Sequence, residues 1–222
     1  VPLEVPKGHV APDPYRYPYY FDAVLSEAIN KYDLSEKEIM NNGYKIYTTL
    51  DQNQQRSMQQ TYEDDDNFPS NSVDGSKVQS APVAMNPKTG GVTAIVGGRG
   101  KHVFRGFNRG TQMRRQPGST IKPLVVYAPA LEHGYFYDST LQDKKQSYGT
   151  NDYTPKNYDD TYAGSVPMYK AVYESLNAPA VWLLNKIGVN TGYRMAQKFG
   201  LPVEKGDKNL ALALGGMTKG VS

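Results

Sequence analysis

The run Arg114-Arg115-Gln116-Pro117-Gly118-Ser119-Thr120-Ile121-Lys122-Pro123 leaves the chain little conformational choice. Its Pro-Gly pair punctuates a loop, and the apolar run Leu124-Val125-Val126-Tyr127-Ala128 begins directly after it. Together they predict a loop-to-helix junction with Ser119 in the first turn, where helix starts favour serine. Lys122 follows three residues later, so its side chain rises on the same face as the Ser119 hydroxyl. A serine hydroxyl is a poor nucleophile until a base lies within hydrogen-bond reach. A desolvated lysine can lose its proton near neutral pH and serve as that base. The positive end of a helix and its unpaired N–H groups suit a developing oxyanion. Ser-x-x-Lys is nonetheless a short pattern, and a helix cap followed by a solvated lysine has the same letters.

Composition narrows the function classes. The chain has 222 residues, enough for one large or two small domains with a buried core. A net charge of +3 with no basic stripe gives no reason to expect a nucleic-acid partner. The absence of cysteine excludes disulfides, thiolate metal sites and cysteine nucleophiles. His9, His102 and His133 are scattered, with no second ligand at a metal-binding spacing, so neither a metal nor a cofactor is expected. No apolar run is long enough to cross a membrane, and no signal peptide is present. The start at Val1 and the stop after Gly220-Val221-Ser222 read as an excised piece of a longer protein. The 18 tyrosines, mostly in loops, suggest amphipathic groove surfaces.

In chain order, residues 1–16 are proline-rich and read as an extended lead-in. Phe21, Val24, Leu25, Ala28 and Ile29 predict an amphipathic helix from Pro18 to about Tyr32. Ser35 and Glu38 have capping-box spacing for a short helix that Gly43 would end. Residues 44–50, rich in β-branched and aromatic side chains, predict a strand. Asp51 would then cap a polar helix through Gln60, followed by a polar loop to Gln79. Residues 1–79 thus read as a small α+β linker module that supports a second domain, residues 80–222. That domain opens with a hairpin, strands 81–85 and 91–96 around the turn Asn86-Pro87-Lys88-Thr89-Gly90. A helix from Ser119, kinked at Pro129, would close at Gly134. Residues 135–164 lack periodicity and predict a long, functional or mobile loop.

A second constellation lies at 165–188. Ser165 predicts the cap of a helix running to Glu174, and Pro179 the first position of another that ends at Gly188. Ser175 and Asn177 would sit at the corner between them. A hydroxyl can relay a proton to a lysine, and an amide can donate to a substrate carbonyl while accepting from that lysine. A plain capping turn uses the same residue types.

Ser-x-x-Lys with a Ser-x-Asn element is the combination found in penicillin-binding proteins and class A β-lactamases. The sequence resembles the penicillin-binding transpeptidases of the bifunctional class A type. Residues 115–123 match that family's nucleophile motif. Asn157-Tyr158, Gly164 and Ser175-Leu176-Asn177-Ala178-Pro179-Ala180-Val181 resemble its second motif and lead-in. Tyr47-Thr48-Thr49-Leu50-Asp51 resembles the join between a glycosyltransferase domain and the transpeptidase, and Leu214-Gly215-Gly216 a later family stretch. The resemblance implies an α+β fold, an antiparallel sheet flanked by helices. It implies Ser119 as nucleophile toward the D-Ala-D-Ala carbonyl of a peptidoglycan stem peptide, with Lys122 as base. Ser175 would relay the proton and Asn177 would hold the substrate amide and orient Lys122. β-Lactams would acylate Ser119. The family's third motif, Lys-Thr-Gly, lies well after Ser-x-Asn. Lys88-Thr89-Gly90 precedes Ser119 in a hairpin turn and does not correspond to it. The expectation is therefore an impaired enzyme on its own, with the remaining C-terminal part of the domain as partner, and a membrane-anchored parent acting outside the membrane. The alternatives are a serine β-lactamase, for which no deacylating glutamate is clear beside Glu174, and a non-catalytic cell-wall-binding or penicillin-sensing module.

Overall fold

The computed structural model describes residues 16–150 and 152–222, which form two compact units, one through Met113 and one spanning Arg114–Val221. The lead-in expected at 1–16 lies, apart from Arg16, outside the described residues.

In the first unit, α1 spans Pro18–Tyr32 and α2 spans Glu36–Asn41, the latter started by the expected capping box of Ser35 and Glu38. α3 covers Gln52–Glu63, with the Asp51 carboxylate accepting from Asn53 N and Gln54 N. The hairpin pairs β1 (Val83–Met85) with β2 (Val92–Ile95), antiparallel, and a short α4 spans Arg109–Gln112. Polar α3 docks on this hairpin through Gln55, only 1% exposed. Its side-chain oxygen accepts from Ile95 N at 2.7 Å and its amide donates to Ile95 O at 2.9 Å, so one side chain replaces a strand neighbour. Arg99 pins the polar loop by donating to Val78 O and the Asp65 carboxylate, 4.0 Å over the Phe68 ring.

The strand expected over 44–50 does not form. That segment attaches beside β2 through Thr49 Oγ1 to Val92 O and Asp51 N to Thr93 O, and Tyr47 is 91% exposed. Its composition favours a pleated surface, but a strand exists only where a neighbour completes the ladder.

The second unit holds the larger apolar cluster, in which Ile121, Val125, Val126, Leu141, Val166, Val181, Leu183, Leu184 and Leu212 are buried. The continuous helix expected from Ser119 is instead three pieces. A 3-10 turn at Gly118–Ile121 leads into a π-helical turn at Pro123–Tyr127, then α5 at Ala128–Glu132. Pro129 offers no N–H to Val125 O, and Ala128 N bonds back to Pro123 O, five residues away, which shifts the ladder by one residue. Residues 135–164 are not all loop. β3 (Thr140–Asp143) pairs antiparallel with β4 (Gly164–Pro167), and Ser165 lies in β4 rather than at a helix cap. α6 then spans Met168–Tyr173, α7 spans Asn177–Ile187 and α8 spans Val189–Lys198. Pro179 is the third residue of α7, not its first. Gly192 lets α8 approach the π turn, since a Cβ there would come within 2.5 Å of Val125 O.

Candidate active site

The short turn Gly118–Ile121 fixes the relation of Ser119 to Lys122. Lys122 N donates to Ser119 O, a bond spanning three residues, and in that geometry side chains three apart eclipse one another. Ser119 is at the surface, whereas Lys122 is only 2% exposed. Ile121, Val125 and Val126 anchor this segment in the core. A buried ammonium without partners would cost several kcal/mol, so its acceptors decide the site.

Those acceptors all come from the corner between α6 and α7. Lys122 Nζ lies 2.6 Å from Ser175 O, 3.1 Å from Leu176 O, 2.7 Å from Asn177 Oδ1 and 3.2 Å from Ser175 Oγ. An ammonium has three hydrogens, and the neutral amine would keep two plus a lone pair able to accept from a hydroxyl. Burial pushes the Lys122 pKa down from 10.5 to about 8, within reach of base chemistry. The sequence-predicted set is thus brought together in part: Lys122, Ser175 and Asn177 share one hydrogen-bonded cluster. Ser119 is tied to Lys122 through the backbone of the shared turn, with no hydrogen bond from its Oγ to Lys122 Nζ; free sites often tighten only when substrate binds.

The corner itself is strained. Ser175 has φ 52°, the left-handed region that non-glycine residues rarely enter. Ser175 N bonds to Val172 O and Leu176 N to Ala171 O, the two bonds of a Schellman motif. Ser175 therefore occupies the position where helices usually carry glycine. A serine there costs roughly 1–2 kcal/mol, so its hydroxyl is present against the backbone's preference.

α7 starts immediately afterwards, on a Leu176 cap that has no side-chain acceptor. Asn157, 3% exposed, supplies one from outside: its Oδ1 accepts from Asn177 N at 2.9 Å and Ala178 N at 3.0 Å. Its Nδ2 donates to Asp143 Oδ1 on β3 at 2.8 Å and to Thr161 O at 2.9 Å. Asp143 Oδ2 in turn accepts from Ala163 N at 2.9 Å. Asn177 Nδ2 donates to Lys156 O at 2.7 Å, which orients its oxygen toward Lys122. In the sequence, Asn157 stands inside a family-like stretch with no role of its own, and nothing marks Asp143.

The loop ahead of Ser119 is clamped by Val221 and Gly215. Arg115 N donates to Val221 O at 2.9 Å and Val221 N to Arg115 O at 2.7 Å. Gly215, at φ 81°, lies so close to Gly118 that an added Cβ would meet its O at 2.5 Å and its Cα at 2.7 Å. Lys88-Thr89-Gly90 sits in the β1–β2 turn of the first unit, as its sequence position implied. Glu174 lies in an exposed pair with Lys170 at 3.8 Å.

Residues 81–215 match the family described as penicillin binding protein transpeptidase domain. Penicillin-binding protein 2a of Streptococcus pneumoniae is 50% identical over 209 residues, covering 90% of this chain and 28% of that protein. Penicillin-binding protein 1F of Bacillus subtilis is 45% identical over 204 residues, covering 91% of this chain and 27% of its own length. The chain thus spans little more than a quarter of these relatives. Among solved structures, the penicillin-binding protein PonA1 of Mycobacterium tuberculosis shares the fold, with a TM-score of 0.73 at 21% identity over 92% of this chain and 54% of that one. With a transpeptidase-domain match over most of the chain and relatives at this identity, the chain belongs to the penicillin-binding proteins of the class A type, to their transpeptidase region.

Proposed function

We propose that this chain carries the acylation half-site of a peptidoglycan D,D-transpeptidase, with Ser119 as nucleophile, Lys122 as general base, Ser175 as proton relay and Asn177 as the group that orients both lysine and substrate. The single observation that carries this reading is the buried Lys122 amine, held by Ser175 and Asn177 on the same short turn as Ser119. With a pKa of about 8, roughly a tenth of the lysine is neutral at pH 7, enough to sustain base catalysis.

The steps balance as an amide exchange. Ser119 Oγ attacks the carbonyl carbon of the penultimate D-alanine while its proton passes to Lys122 Nζ. The tetrahedral intermediate collapses, the C–N bond breaks, and the leaving D-alanine takes that proton through Ser175 Oγ. The acyl-serine ester is then attacked by an amine of a second stem peptide, which gives its proton to Lys122. The Ser119 ester bond breaks, and Ser119 recovers its hydrogen. A β-lactam enters the same first step, its ring opening in place of the departing D-alanine.

Domain assignment follows the same reading: residues 1–79 as linker module and 80–222 as the N-terminal part of the transpeptidase domain. In the longer protein that the relatives' lengths suggest, we infer a glycosyltransferase domain, the remainder of the transpeptidase and a membrane anchor, with the active site outside the membrane. Among the described residues no helix is long and apolar enough to cross a membrane. In this reading the isolated chain acylates more slowly than the full-length protein.

The test is release of D-alanine from a D-Ala-D-Ala donor peptide in the presence of an amine acceptor, using the full-length protein. Crosslinked product and D-alanine should appear together, and Ser119→Ala should reduce both to background. Product formation undiminished by Ser119→Ala would refute the assignment.

A further inference from the structure

We propose that Asn157 is a positioning residue for the acylation step, holding the first turn of α7 so that the acceptors of Lys122 stay in place. The inference rests on the proposed role of Lys122 and deepens it. α7 begins with no side-chain cap of its own, so Asn177 N and Ala178 N would be unpaired in a buried setting. Asn157 Oδ1 takes both, and it is a buried amide arriving from a segment twenty residues away in sequence. Ordinary helix caps come from the residue that precedes the helix.

The amide is itself held from behind. Both hydrogens of Nδ2 are used, on Asp143 Oδ1 and Thr161 O, which fixes which end of the amide faces α7. Asp143 belongs to β3 and takes Ala163 N on its second oxygen. A rigid path therefore runs from β3 through Asn157 to the helix start. Asn177, whose backbone N is one of the two bonded groups, places its Oδ1 at 2.7 Å from Lys122 Nζ. Leu176 O, one residue earlier, is another of the lysine's acceptors. Releasing Asn157 would free the turn that presents both, admit water to Lys122 and displace the base from Ser119. Misplacements of about 1 Å in such constellations can cost 100-fold in rate.

Acylation by benzylpenicillin, followed across pH in the full-length protein, tests this with three variants. Asn157→Ala should acylate about 10- to 100-fold more slowly, with its rate–pH midpoint moved up toward the ordinary lysine range as burial is relieved. Asn157→Asp keeps the oxygen that accepts from both N–H groups of α7 but sets a carboxylate against Asp143 and Thr161 O, and should be slow as well. The exchange Asp143→Asn with Asn157→Asp restores the bond between positions 143 and 157 alone, leaving Thr161 O without its donor: the new amide donates to the new carboxylate and its oxygen still accepts from Ala163 N. It should recover about tenfold over Asn157→Asp alone, as coupled pairs do. Thermal melts separate a folding loss, which lowers the amount of acylable protein without moving the midpoint. If Asn157→Ala fails to fold, the exchange pair still decides. Asn157→Ala at the parent rate, a slower rate with unmoved midpoint, or an exchange pair no faster than Asn157→Asp each overturn the inference. A parent protein not acylated at Ser119 would instead sink the reading on which it rests.

Discussion

A lysine taken out of water needs acceptors, and Lys122 takes all of its own from one helix corner. Burial leaves its pKa about 8, so the neutral amine becomes abundant as pH rises through that value. Acylation by a β-lactam should therefore accelerate between about pH 7 and 9 with a midpoint near 8, read from stopped-flow or quench kinetics. Lys122→Arg keeps the charge but cannot give up its proton, and should lose about 100- to 10,000-fold with no such midpoint. A rate flat across that range in the parent would remove lysine from the role of base. Ser175 makes a second residue-level case. Ser175→Gly relieves a backbone held at φ 52°, and should raise stability by about 1 kcal/mol in denaturant melts. It should also slow acylation, because the hydroxyl proposed as the proton relay is gone. Loss of both stability and rate would contradict the view that serine sits there for chemistry.

Among the elements, what was legible in the sequence is what local chemistry decides. The Ser35–Glu38 capping box, the Asp51 cap, the hairpin around Asn86–Gly90 and the stop of α7 at Gly188 are set by neighbours in sequence, and they form where expected. The misses depend on partners distant in sequence. Residues 44–50 have strand composition without a completed ladder, and β3 hides in a polar, tyrosine-rich stretch because its partner β4 lies 20 residues on. Pro129 predicts a kink, and the structure accommodates it as the π turn after Lys122. At the candidate site, Ser119, Lys122, Ser175 and Asn177 stood out through spacing and resemblance. The fixed position of Asn177 depends on Asn157 and Asp143, whose bonds cross 14 to 21 residues and leave no periodic trace. Gly215 belongs to the stretch Leu214-Gly215-Gly216, and its reason is spatial: only a glycine leaves room for the backbone of Gly118.

For the molecule as a whole, the buried lysine couples function to stability. Between about pH 8 and 10.5 the unfolded chain keeps a proton that folded Lys122 has released, so stability rises with pH across that window. Below pH 8 both forms are charged and the full penalty, about 3 kcal/mol, is present. The unfolding free energy of the parent should therefore rise relative to that of Lys122→Met across that window, as urea melts would show; a difference independent of pH would mean that the lysine titrates normally. A fold that keeps such a residue buried at that cost is consistent with selection for reactivity over stability. The most direct measurement is peptide-mapped mass spectrometry of the full-length protein after brief incubation with benzylpenicillin. The expected result is one added penicilloyl mass on the peptide containing Ser119, absent in Ser119→Ala and strongly reduced in Lys122→Arg. An adduct on another residue, or none on a folded protein, would contradict the assignment of Ser119 and Lys122 as nucleophile and base.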